Sequence, residues 1–151
     1  MLLELNDISL CFNAGSPDEM RLFSNFSLVV PEGQFVSVIG SNGSGKSTLL
    51  NLVCGTAKPD AGSVFFDGRD ITGASAVRRA AWIGRVFQDP KAGTCAHLTI
   101  LENLALADNK GRAYGLGGGI PKNRKEHYRD LLRQCGMGLE NRLDTLVGTL
   151  S

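Results

Sequence analysis

Residues Gly40–Ser47 read Gly-Ser-Asn-Gly-Ser-Gly-Lys-Ser and satisfy every fixed position of the pattern G-x-x-x-x-G-K-[ST]. These residue types suit one chemistry, the cradling of a nucleotide's phosphate tail. Backbone N–H groups approach phosphate oxygens closely only where no Cβ intervenes, and Gly40, Gly43 and Gly45 leave that approach open. Ser41, Asn42 and Ser44 keep the rest of the loop small and polar. Lys46 stands where an ammonium reaches the β- and γ-phosphates, and the Ser47 hydroxyl where it ligates Mg²⁺, with Thr48 following in the first helical turn.

Such a loop must be held by a strand before it and a helix after it. "QFVSVIG" (34–40) is dominated by β-branched and aromatic residues and predicts the strand. "KSTLLNLVCG" (46–55) predicts a short helix ending at Gly55, its positive N-terminal end aimed at the phosphates. Around this unit, "LLELNDISLCF" (2–12), "FSLVV" (26–30), "GSVFFDG" (62–68) and "AAWIGRVFQDP" (80–90) predict further strands, and "NAGSPDE" (13–19) predicts a loop. The pattern then turns helical. "TILENLALAD" (99–108) has helical spacing, "GLGGG" (115–119) is a flexible break, and "PKNRKEHYRDLLRQCG" (121–136) has proline at a helix start and glycine at its end. Two regions follow: 1–90, β-rich with the glycine loop, and 91–151, helical.

Composition narrows the partners. Sixteen Lys and Arg against fifteen Asp and Glu give a net charge of +1, which supplies no electrostatic attraction to nucleic acid. The four cysteines are far apart and form no C-x-x-C pair, so they predict neither a zinc site nor a redox dithiol. No apolar run approaches the ~20 residues that span a bilayer, so no direct membrane insertion is expected.

Taken together, "LLELNDISLCF", "PEGQFVSVIGSNGSGKSTLLNLVCG", "PDAGSVFFDGRDIT" and "IGRVFQDP…LTILENL" resemble the ATP-binding subunits of ABC transporters, and within them bacterial importer-type ATPases for small organic solutes. The resemblance implies an α/β fold: a P-loop NTPase core with an antiparallel β subdomain and a partial helical subdomain. It makes Gln88 a residue that positions Mg²⁺ or the attacking water beside Lys46, and Phe12 an aromatic stacked on adenine. Phe12 is also in phase with Ile8 and Leu10, so a core-facing ring stays open. ATP and Mg²⁺ are the implied cofactors. The implied partners are a membrane-spanning permease subunit, docking near the Gln88 loop and "LTILENL", and a second ATPase subunit in a homodimer or heterodimer. The implied location is cytoplasmic, peripheral on the inner face of the membrane through the permease. A soluble ABC-type ATPase of DNA repair or translation is the alternative.

The family's signature, Leu-Ser-Gly-Gly-Gln, is represented only by Leu150 and Ser151. The expectation is therefore a truncated chain, its core incomplete at the C-terminus, that binds nucleotide without turnover. Other candidates carry less. "NKGR" at Asn109 misses a guanine-binding N-K-x-D at Arg112. His97 and His127 read as surface residues, Asp108 as a solvated helix end, and Lys122, Arg124 and Lys125 as a solvated helix face.

Overall fold

A computed structural model of the chain describes residues 1–110 and 124–150. They form two compact units, Met1–Ile83 and Gly84–Ser151.

In the first unit, β1 (Leu3–Phe12), β2 (Met20–Val30), β3 (Ala61–Phe66) and β4 (Arg69–Asp70) make one antiparallel sheet in the order β2-β1-β3-β4. β1 runs at the middle, and its alternation explains why. Leu5, Ile8 and Leu10 all face inward, although Leu5 and Ile8 are three residues apart and a regular strand would turn them to opposite faces. A bulge resolves the phase error. Asp7 takes φ 51°, the register shifts between Leu5 and Ile8, and the Asp7 N–H donates to Ser27 Oγ at 3.0 Å. β3 passes so close to this bulge that a Cβ on Gly62 would lie 2.5 Å from the carbonyl oxygens of Asn6 and Asp7. β2 is longer than "FSLVV" predicts, because pairing with β1 extends it back to Met20, the partner of Phe12.

Helix α1 (Lys46–Cys54) lays Leu49 and Leu52 on the sheet, where they join Leu5, Ile8, Leu10, Val64 and Ile71 in the core. It ends at Gly55, which takes φ 79° and returns its N–H to the carbonyls of Asn51 and Leu52. A short helix α2 (Ala76–Arg79) follows, capped by the Ser75 side chain.

Two predicted strands are absent from the ladders. Residues 34–40 lead into the glycine loop without pairing to any described strand, and Phe35 and Ile39 are 94% and 93% exposed. Residues 83–88 likewise pair with none, and Val86 is 99% exposed. β-branched composition favours extended backbone, but a strand exists only where a neighbour accepts its N–H and C=O groups.

In the second unit, α3 (Ile100–Asp108) begins with a capping box: Thr99 Oγ1 accepts from the Glu102 N–H, and Glu102 Oε2 accepts from the Thr99 N–H at 2.8 Å. Its Ile100, Leu101 and Ala105 pack with Tyr128 and Leu132 of α4 (Lys125–Gln134) and with Leu143. Asp108 is more than a solvated helix end. It accepts from Tyr128 Oη at 2.9 Å and pairs with Arg124 at 3.4 Å, tying α3 to α4. Arg124 and Lys125 therefore both have acidic partners, Lys125 with Asp144. The glycine break at 115–119, Pro121 and Lys122 lie outside the described residues. Among the described residues, no helix is long and apolar enough to cross a membrane.

Candidate nucleotide site

Two left-handed glycines shape the loop before α1. Gly43 has φ 83° and Gly45 φ 91°, backbone that side-chain-bearing residues rarely adopt. At a third glycine, Gly40, the loop closes on itself: a Cβ there would lie 2.5 Å from Ser44 Oγ and turn that hydroxyl aside. The Ser44 N–H closes a turn onto the Ser41 carbonyl at 3.2 Å. Lys46 folds back over this turn and donates from Nζ to the carbonyls of Gly40 at 2.9 Å and Ser41 at 2.7 Å. Its ammonium thus sits on the loop's own backbone, with Ser44 Oγ 3.5 Å away.

Gly45 is the N-cap of α1 and provides no side-chain cap, and the first turn holds no acidic residue. The N–H groups of Lys46, Ser47 and Thr48 have no carbonyl partner within the helix, because those bonds start only at Leu49, which donates to Gly45 O at 2.8 Å. Ser47 is exposed on this first turn. Three backbone donors, an ammonium and the positive end of a helix converge on one short stretch. That donor set suits an oligophosphate and repels a cation.

The remaining sequence-derived candidates are placed by their own elements. Phe12 ends β1, is 39% exposed and lies outside the core cluster, so its ring does not face inward as the phase with Ile8 and Leu10 suggests. Gln88 is exposed in the second unit and is not part of the unit that carries the loop. Asn42 is exposed at the loop's tip. His97 and His127 are both exposed, as surface residues. Leu22 went unnoticed in the sequence: its side chain packs on Gly45, and no local pattern marks it. A cavity of about 500 Å³ lies near Arg69, Asp70, Arg78 and Trp82 and includes no loop residue, so volume alone does not find the phosphate-binding chemistry.

Among the described residues, no group of three or more His, Cys, Asp or Glu side chains could hold a metal ion. Magnesium binds readily through one or two protein oxygens while keeping water and phosphate ligands. The exposed Ser47 hydroxyl beside a phosphate-binding loop fits that limited role.

Comparison with known proteins places this geometry in a family. Residues 23–151 match the model of the ABC transporter family. The chain is 37% identical over 150 residues to the tyrosine transport ATP-binding protein of Clostridioides difficile strain R20291, covering 99% of this chain and 59% of that protein. It is 34% identical over 152 aligned positions to the thiamine import ATP-binding protein ThiQ of Shigella flexneri, covering 99% and 56%. Among solved structures, a nucleotide-free ATP-binding cassette from an ABC transporter superimposes with a TM-score of 0.72 at 29% identity, covering 99% and 59%. A dimeric cassette in a post-hydrolysis state, bound to ADP and Pi, gives a TM-score of 0.76 at 28% identity, covering 99% and 63%. This chain thus spans somewhat more than half the length of the relatives it matches. With its glycine loop, its antiparallel sheet and helices, and a family match running from Phe23 to Ser151, the chain belongs to the ATP-binding subunits of ABC transporters.

Proposed function

We propose that this chain binds MgATP through Gly40–Thr48, as part of an ATPase that couples nucleotide binding and hydrolysis to solute transport. The observation that carries the reading is the first turn of α1. Unpaired N–H groups, the Lys46 ammonium and left-handed glycines stand together there, with no acidic side chain to compete. Lys46 exchanges its bonds to the Gly40 and Ser41 carbonyls for the β- and γ-phosphates, and Ser47 Oγ contributes one ligand to Mg²⁺. Phe12, half-exposed at the end of β1, stacks on adenine, and Gln88 positions Mg²⁺ or the attacking water.

The same reading extends to partners. A second ATPase subunit and a membrane-spanning permease complete the assembly, which places this chain on the cytoplasmic face of the membrane. The tyrosine and thiamine transport relatives favour a small organic solute. The test is titration with a fluorescent ATP analogue. Binding that disappears in Lys46→Ala, with the circular dichroism unchanged, is the expected result. Equal affinity in Lys46→Ala overturns the assignment of the loop.

A further inference from the structure

The end of α1 away from the glycine loop holds a feature that the family motifs do not account for. Arg79 is 1% exposed, yet no carboxylate forms an ion pair with it among the described residues. Its guanidinium instead donates to four backbone carbonyls. Nη1 reaches Leu52 O at 2.7 Å and Val53 O at 3.0 Å, both in the last turn of α1. Nη2 reaches Thr72 O at 3.0 Å, and Nε reaches Ala74 O at 3.1 Å. Burial pulls the Arg79 pKa down from its ordinary value, while Cys54 and Asp70 act in the opposite direction. A buried cation needs compensation, and here carbonyl dipoles supply it, including the negative end of a helix.

Two neighbours show that the chain is built around this side chain. A Cβ on Gly55 would lie 2.9 Å from both Cδ and Nε of Arg79, so the left-handed helix stop is a glycine where the arginine passes. Thr72, whose carbonyl takes one of the four bonds, is itself fixed to the sheet, because its Oγ1 accepts from the Val64 N–H at 2.8 Å. Arg79 therefore links the last turn of α1 to β3 through Thr72. Lysine cannot reproduce this fork of donors.

We infer that Arg79 is a positioning residue for nucleotide binding: it clamps the C-terminal end of α1 and so fixes the direction in which the helix presents its first-turn amides and Lys46. The lever is short. Nine residues make a helix about 13 Å long, so a tilt of roughly 5° at the clamp displaces the N-terminus by about 1 Å. A shift of about that size is enough to weaken an oriented contact severalfold or more. The inference rests on the proposed binding of MgATP by the loop.

The experiment has two arms, each on the chain with Arg79→Lys and with Gly55→Ala, which keeps the guanidinium but strains the left-handed helix stop against it. In the first arm, amide hydrogen exchange is followed without nucleotide. The expected result is faster exchange across α1, by about tenfold, with β1 and β3 unchanged. In the second arm, affinities for MgATP and for adenosine are compared at a temperature where circular dichroism shows the variants fully folded. MgATP affinity is expected to fall about tenfold and adenosine affinity to stay level, because only the phosphates meet the displaced helix end. Unchanged α1 exchange in both variants overturns the clamp. Equal losses for MgATP and adenosine, or loss of protection through the whole sheet, reduce Arg79 to a support of the fold and overturn the inference. A wild-type chain that binds no MgATP refutes the proposed function instead, and α1-selective exchange then decides the clamp by itself.

Discussion

Leu22 of β2 fills the space beside Gly45: a Cβ on that glycine would lie 3.1 Å from Leu22 Cδ1. The sheet thus supports the loop directly at the N-cap of α1. Met20, two residues back along β2, is the register partner of Phe12. At about 3.3 Å per residue, this ladder brings the end of β1 to within roughly 7 Å of Leu22 along the strand. The exposed aromatic and the leucine that packs on the glycine loop therefore stand on one hairpin.

Gly45→Ala meets two penalties, the contact with Leu22 and the left-handed backbone. Loss of about 1–3 kcal/mol in urea denaturation is expected, with weaker MgATP binding. Leu22→Ala in the same background removes only the contact, so recovery should be partial. Complete recovery would show that space alone demands glycine there.

Phe12→Ala should leave the fold intact, because the ring lies outside the core cluster. Affinities for ATP and ADP should fall by similar factors, since stacking touches the base and ignores the γ-phosphate; stacking on an aromatic is worth ~1–3 kcal/mol per base in nucleic-acid complexes. Parallel titrations with the two nucleotides measure this. A loss confined to ATP would remove Phe12 from the base site.

Residues 1–151 by themselves should show no ATP hydrolysis. Attack by water needs an orienting base, and lysine, serine and a glutamine amide do not provide one near neutral pH. Phosphate release should match that of Lys46→Ala under the same conditions. A rate above that background and dependent on Lys46 would place a catalytic base within these residues.

The capping box of α3 should make the second unit sensitive to acid. Hydrogen bonds from the backbone and then the side chain of Thr99 hold the Glu102 carboxyl below its ordinary value of 4.5. A depressed carboxylate contributes stability that is fully present above the unfolded-state value and is lost as pH falls through the lower folded-state value. Glu102→Gln keeps a capping side chain but does not titrate. The stability difference between wild type and Glu102→Gln in thermal melts should therefore be largest near neutral pH and shrink below about pH 4.5. A difference independent of pH would remove the carboxylate from the cap.

What the sequence determined by itself was local chemistry. Gly40, Gly45, Lys46 and Ser47 are legible because phosphate binding by backbone amides needs those types at fixed spacing, and the spacing is short enough to read along the chain. Helix α1 is legible for the same reason, since its glycine stop lies within three turns of its start. Only the tertiary structure decided which extended segments became strands. "QFVSVIG" and "FSLVV" have the same β-rich composition, yet β2 contains the second and no ladder among the described residues contains the first, because hydrogen-bond partners come from distant chain segments. The inward turn of both Leu5 and Ile8 depended on a bulge at Asp7 that pairing with β2 and β3 creates. Arg79 is the clearest case. In sequence it is one of two adjacent arginines, Arg78 and Arg79, and nothing local separates them. Packing buries one among the carbonyls that end α1 and leaves the other exposed, since those carbonyls are brought together only when the helix, the sheet and the loop after β4 have met.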